Sequence, residues 1–337
     1  MTSDTLLTRL QLPPFEPIFW AKKGLQQTIA AYYYPYNPFL PKGSFHAIPL
    51  PDKDQILISI NPPKKKNPSP RMILLVHGLS GSYISKYMIR FTRQLTQLGF
   101  TVARMNLRGS GPGKTLASKL YHGGRSDDLR AVLEWLMQNF PNTPITTVGF
   151  SLGANIVLKM GGESPVPKGC DSLIGVSPPL DLLTCVTLLS KPPNQILDQH
   201  FSLALVQEVQ ELHRHLSLPA PQFPKVLTVY DFDALYTAPL NGFKDAEDYY
   251  TQSSALQFIP NIDLPMFILS AKDDPLIFRH LYKKIPKKPN FDLLITPHGG
   301  HMGWLSPSHW VFAHCGFAHR WMDNAVIQWI RDFHERH

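Results

Sequence analysis

The chain reads as an α/β protein: a doubly wound, mostly parallel sheet with an inserted helical cap. Three observations predict this. Apolar runs of strand length alternate with amphipathic helical stretches from about residue 55 to about residue 176, the pattern of successive βαβ units. Gly149-Phe150-Ser151-Leu152-Gly153 sits between one such run, Ile145-Thr146-Thr147-Val148, and a helical run from Ala154 to Met160. From about 178 to 258 the rhythm breaks into helical stretches and Pro turns with few strand signals, and the strand pattern then resumes.

Taken in order, residues 1–45 are irregular, aromatic and Pro-rich, and are expected to wrap the domain as an arm. A single domain is expected over 46–337, with the cap inserted at about 178–258. Residues 55–60 read as an early strand, and Met72-Ile73-Leu74-Leu75-Val76 as a strand buried on both faces. Ile84, Tyr87, Met88, Phe91, Leu95 and Leu98 recur at helical spacing, with Gly99 to end the helix. Phe100 to Met105 is the next strand. Ser126 is expected to cap a helix with Asp127 and Asp128 in its first turn, where the helix dipole favours acids. Ser172 to Val176, Met266 to Leu269 and Phe291 to Ile295 continue the sheet, and a last helix carries Trp321, Ala325, Trp329, Ile330 and Phe333.

Bulk composition excludes more than it selects. The chain has 337 residues, 32 prolines and a formal net charge of +8. A basic balance can serve nucleic acid or an anionic membrane surface. Its clusters, Lys64-Lys65-Lys66 and Lys283-Lys284 with Lys287-Lys288, are short, Pro-flanked and free of interleaved aromatics, so they read as solvated loops and no nucleic-acid partner is expected. The three cysteines, Cys170, Cys185 and Cys315, show neither metal spacing nor a paired framework, which fits a reducing compartment. No run approaches the roughly 20 apolar residues of a membrane span. Met1-Thr2-Ser3-Asp4 lacks the basic and apolar regions of a secretory signal. A cytoplasmic location is expected, with peripheral contact to a membrane left open. The sequence carries no signal of oligomeric state.

The chemistry concentrates around Ser151. A serine on a sharp strand-to-helix turn has an exposed hydroxyl, with free N–H groups and a positive helix end beside it. Glycines at 149 and 153 fit that turn because side chains there would strike the strand or the helix. A hydroxyl needs a base, and the base a partner that fixes its tautomer. With the order Ser, acid, His, the acid falls in Ala271-Lys272-Asp273-Asp274-Pro275 and the base in Pro297-His298-Gly299-Gly300-His301-Met302-Gly303. Asp274, directly before Pro275, is preferred, with Asp273 as the alternative and turn former. His301 is preferred over His298 because two glycines precede it and give the loop room to aim the ring inward. An oxyanion hole needs two backbone donors; Leu152 supplies one by position and Leu79, in His77-Gly78-Leu79, the second. His77 is expected to brace that loop.

Together these residues resemble the YheT-like subfamily of α/β-hydrolases, which also contains the human abhydrolase-domain proteins of the lipid-ester-hydrolase type. The resemblance covers roughly residues 45–335. It rests on Val76 to Ser82, Asn106 to Gly111, Tyr121 to Leu129, the turn at Ser151, the segment from Asp231 to Tyr250, Asp273-Asp274-Pro275 and Gly299 to Gly303. The 231–250 segment is the most specific, because no general rule of the fold demands it. The resemblance implies an α/β-hydrolase fold, a triad of Ser151, Asp274 and His301, and hydrolysis of a small-molecule carboxylic ester. Membrane-anchored relatives carry an N-terminal helix; none is expected from this sequence, so a membrane home is not carried over as an expectation.

Rival readings rest on less. His122-Gly123-Gly124-Arg125-Ser126-Asp127 matches the H-x-x-x-x-D pattern of some acyltransferases with only two fixed positions. Thioester hydrolysis would use the same machinery. A non-catalytic binding module on a hydrolase scaffold is disfavoured by an intact Ser, Asp and His in the right order. Arg108-Gly109-Ser110-Gly111-Pro112-Gly113-Lys114 lacks the spacing of a phosphate loop and reads as a loop at the mouth of the site. No cluster has metal spacing and no dinucleotide fingerprint follows a strand, so no metal or cofactor is expected. The apolar residues Leu182, Leu183, Leu188, Leu189, Phe201, Leu203 and Leu205 of the cap suggest an apolar acyl site.

Overall fold

The computed structural model describes residues 3–36, 38–65, 70–307 and 319–337. Lys66, Cys315, and Met1 and Thr2 of the N-terminus lie outside them. Eight strands form one sheet: β1 Ser44–Pro49, β2 Gln55–Asn61, β3 Met72–Val76, β4 Thr101–Met105, β5 Ile145–Phe150, β6 Cys170–Val176, β7 Met266–Ala271 and β8 Phe291–Thr296. Their order is β1-β2-β4-β3-β5-β6-β7-β8. The pairs β1/β2 and β2/β4 are antiparallel and all others parallel.

The continuous apolar run of β3 is explained by a sheet covered on both faces. All five of its residues are buried. Met72, Leu74 and Val76 join one core cluster, and Ile73 and Leu75 the other, as the period of two requires. Helix α3 Lys86–Gln97 covers the second face through Met88, Phe91 and Leu95, beside the C-terminal helix Trp321–Arg336. Helix α4 Ser126–Asn139 and helix α5 Leu152–Gly162 cover the first. Arg90 of α3 and Asp323 of the C-terminal helix join the two helices by a buried bidentate pair at 2.7 and 2.9 Å.

Between β6 and β7 the chain leaves the sheet and builds helix α6 Leu182–Leu189, helix α7 Gln195–His215, short helical segments over 229–240, and the helix Ala246–Ser253. These pack on the first face, over the carboxyl ends of the strands.

Several expectations are corrected. The stretch 1–45 is not irregular: it holds helix α1 Ser3–Arg9 and helix α2 Gly24–Tyr33. Leu6, Leu10, Leu12 and Phe15 are buried in the second core cluster, and Trp321 Nε1 donates to Pro13 O at 3.0 Å. Strand β1 crosses the expected boundary at residue 45. Ile84 lies before α3 and is exposed, because the helix begins only at Lys86. Ser126 is the first residue of α4 and not its cap: its hydroxyl donates to Glu163 Oε2 at 2.5 Å. Leu203 of α7 faces solvent.

Asp323→Ala would strand the buried Arg90 guanidinium, and a broken buried pair costs about 3–5 kcal/mol. Urea unfolding of this variant is expected to show a loss of that size.

Candidate active site

The site is built where strand order reverses. β3 leads outward to β4, while β5 lies on the other side of β3, and α/β sheets bind ligands at the carboxyl ends of such strands. Ser151 follows β5 directly, with φ +51° and ψ −120°, a region that L residues rarely adopt and that costs of order 1–3 kcal/mol. Neighbours hold it there. Ser151 N donates to Val176 O at 2.9 Å, and Ser151 O accepts from Ala154 N at 2.8 Å. A Cβ on Gly149 would lie 2.4 Å from Gly153 O, and one on Gly153 would lie 2.3 Å from His77 O. Both glycines are therefore required by the close approach of strand, helix and the neighbouring loop.

The loop after β8 brings in the histidine. His301 is buried, and its Nε2 lies 2.8 Å from Ser151 Oγ. Its Nδ1 lies 2.9 Å from Asp274 Oδ2 and 3.2 Å from Oδ1. With Nδ1 as the donor to a carboxylate, Nε2 carries the lone pair that faces the serine hydroxyl. Asp274 Oδ1 also accepts from Leu276 N at 2.8 Å. Asp273 is elsewhere: its Oδ1 accepts from Gly300 N at 2.9 Å and its Oδ2 lies 3.3 Å from Nδ1 of the half-exposed His298. The structure thus brings Ser151, His301 and Asp274 together, and puts Asp273 and His298 in the turn beside them.

The N-terminal segment supports this turn, which no sequence pattern indicated. His301 N donates to Thr28 Oγ1 at 2.8 Å. Gln27 accepts from Leu305 N at 2.7 Å and donates to Ala21 O at 2.6 Å. Gly300 has φ +59°, and a Cβ there would lie 2.1 Å from Gly24 O.

The loop after β3 lies on the other side of the serine. Gly78 N donates to Tyr87 Oη at 2.9 Å and Ser80 N to Tyr121 Oη at 2.7 Å. Between them the N–H of Leu79 makes no hydrogen bond among the described residues, and neither does that of Leu152 in the first turn of α5. Burial holds His77 down to about 4, so it is neutral near pH 7. Its Nε2 accepts from Leu107 N at 3.0 Å, which leaves Nδ1–H to donate to Gly78 O at 2.7 Å. His77 is a brace.

A cavity of about 630 Å³ reaches Ser151 and His301. Leu182, Leu189, Phe201, Leu205 and Leu276 make its wall largely apolar. The 231–250 segment forms part of it. Asp233 is buried there, accepts from Thr237 Oγ1 at 2.5 Å and Tyr250 Oη at 2.7 Å, and is pushed up to about 6 by burial. Asn155 of α5 anchors the adjoining loops, donating to Gly123 O at 2.9 Å and Ser253 O at 2.8 Å. His122 lines the cavity and is held down to about 3 by burial, accepting at Nδ1 from Gly124 N at 3.2 Å. Asp127 is exposed on α4, and no hydrogen bond or ion pair joins it to His122 among the described residues. Arg108 is tied by Asp52, Asp54 and Asp128, so the Gly-rich loop after β4 is anchored by carboxylates. Among the described residues no group of three or more His, Cys, Asp or Glu could hold a metal ion. Among them, too, no helix is long and apolar enough to cross a membrane.

Residues 71–306 match the family model of the alpha/beta hydrolase fold. The monoacylglycerol lipase of Saccharomyces cerevisiae is 31% identical over 78% of this chain and 60% of its own length. The protein called YheT in Escherichia coli is 29% identical over 85% of this chain and 84% of its own, in line with the resemblance read from the motifs. The chain thus spans three fifths of the yeast relative. Among solved structures, an esterase of Pyrococcus furiosus superposes with a TM-score of 0.52 at 18% identity, over 79% of this chain and 89% of that one; at that identity the likeness carries the fold alone.

Thr28→Val would remove the acceptor of the His301 N–H. If His301 serves as a base, a misplaced loop is costly to rate, so the variant is expected to lower kcat for ester hydrolysis by about three- to tenfold, with its thermal midpoint nearly retained.

Proposed function

From the chain's membership of the alpha/beta hydrolase fold family, we propose that it is a serine hydrolase that cleaves carboxylic esters with an apolar acyl group, through an acyl-enzyme. One observation carries this reading: an unbroken relay from Ser151 Oγ to His301 Nε2 at 2.8 Å, and from His301 Nδ1 to Asp274 at 2.9 Å, opening into an apolar cavity. Ester-cleaving activity is also what the yeast relative's name, a monoacylglycerol lipase, states of that protein.

The steps follow from the geometry. His301 Nε2 takes the proton of Ser151 Oγ as that oxygen attacks the ester carbonyl. The imidazolium so formed keeps its Nδ1–H on Asp274, which orients the ring and offsets its charge. The unpaired N–H groups of Leu79 and Leu152 receive the developing oxyanion, and cost nothing to reorient because the loop after β3 and helix α5 already fix them. Collapse breaks the bond to the alcohol oxygen, which takes the proton from His301. Water then repeats the sequence on the acyl-enzyme and frees the acid and Ser151. The apolar wall made by Leu182, Leu189, Phe201 and Leu205 suits an acyl chain.

The test is hydrolysis of a chain-length series of p-nitrophenyl esters. Turnover that disappears in Ser151→Ala is expected, with the preferred length set by the cavity; no turnover at any length would contradict the reading. Asp274→Asn is expected to lower kcat by about 10³–10⁴-fold, since it removes the acceptor that fixes the tautomer. Asp273→Asn, whose partners are Gly300 N and His298, is expected to cost less than about tenfold.

A further inference from the structure

Helix α7 carries one carboxyl to the cavity wall, Glu208. Tyr121 Oη donates to Glu208 Oε2 at 3.2 Å and accepts the N–H of Ser80 at 2.7 Å. Ser80 follows Leu79, has a left-handed φ of +53°, and buries a hydroxyl that has no partner among the described residues. The turn is closed by Gly81 N donating to Gly78 O at 3.1 Å, and Tyr121 is the side chain that holds Ser80 within it. On the other side Tyr87, from α3, holds Gly78 N. The two N–H groups flanking that of Leu79 are thus each fixed by a tyrosine hydroxyl. One tyrosine belongs to helix α3 on the second face of the sheet; the other is tied to the cap.

We propose that Glu208 is a positioning residue: through Tyr121 it fixes the turn that presents the Leu79 N–H, so that seating the cap over the cavity also completes the oxyanion hole. This rests on the ester-hydrolase reading above. The chemistry of the chain of donors supports it. A carboxylate can only accept, so it orients the Tyr121 proton away from Ser80 and leaves a tyrosine lone pair for the Ser80 N–H. A protonated carboxyl can donate to the same tyrosine oxygen, and the hold on Ser80 weakens.

Burial pushes Glu208 up to about 7, so both forms are populated near neutrality. Helix α7 packs on α6, on 229–232 and on 111–116; the titratable and charged groups that act on Glu208 are Tyr121, Lys114 on 111–116, and Glu211 one turn on along α7 itself. Of the charged groups, Glu211 raises it and Lys114 lowers it. Those two are paired with each other, so burial dominates.

The experiment compares kcat of the parent chain and Glu208→Gln on p-nitrophenyl butyrate from pH 5.5 to 8.5, a range set on either side of the Glu208 titration near 7. Taking the ratio cancels the ionisation of the base common to both. The amide accepts from Tyr121 at every pH, so the ratio of parent to variant is expected to rise about fivefold with pH, centred near 7, as the carboxylate forms. Tyr121→Phe is expected to lower kcat by about tenfold with KM within about twofold. In that background the ratio of Tyr121→Phe to Tyr121→Phe with Glu208→Gln should no longer change with pH. A flat ratio with Tyr121 in place, or a ratio that still rises in the Tyr121→Phe background, in an enzyme that turns over would overturn this inference alone. A parent chain with no ester turnover would overturn the functional reading and this inference together.

Discussion

Ser151 occupies a backbone conformation that its own side chain opposes. Its φ of +51° can persist only where neighbours over-determine it, and here they do so from three directions. Val176 on β6 accepts its N–H, the first turn of α5 closes on its carbonyl, and the loop after β3 packs so close that a Cβ added to Gly78 would lie 3.1 Å from the Cβ of Ser151. The strain is supported by the two-faced core beneath it, in which β3, β5 and β6 are almost wholly buried. The same strained turn lifts the hydroxyl above the sheet edge and leaves the N–H of Leu152 without a hydrogen bond among the described residues.

Around that point, each functional group is held by an element remote in sequence. The loop carrying His301 is fixed by Thr28 and Gln27 on α2, so the N-terminal stretch is part of what aims the His301 ring. The loop carrying Leu79 is fixed by Tyr87 below and Tyr121 above. The helix that starts at the serine is locked to the cap by Asn155. A rigid sheet supplies the positions, and side-chain contacts from distant segments supply the orientation; rate depends on both.

What was legible in the sequence was whatever local pattern controls. Continuous apolar runs marked β3, β6 and β7 because both faces of those strands are buried, while β4 and β8 were legible from shorter runs on either side of Arg104 and after Asp292. The turn at Ser151 was legible because glycine is required at both flanks, and the choice of Asp274 over Asp273 rested on Pro275 following it. Strand β1 was missed because it is an edge strand with only Ile48 buried. Helices α1 and α2 were missed because they are short and set among prolines, and tertiary packing of Leu6, Ala31 and their neighbours stabilises them. Ile84 fitted the helical spacing yet precedes the helix, since periodicity does not specify where a helix starts. Thr28 and Glu208 carry no local signature, and Tyr121, though it opens a recognised segment, gives no sign there of what it holds: their contacts exist only once chain segments tens to hundreds of residues apart meet.

The central claim is that Ser151 is the activated nucleophile of this chain. The most direct measurement is treatment of the purified protein with a fluorophosphonate, followed by intact-mass and peptide mass spectrometry. One adduct per chain is expected, on Ser151. No adduct, or an adduct on another residue with Ser151 untouched, would contradict it.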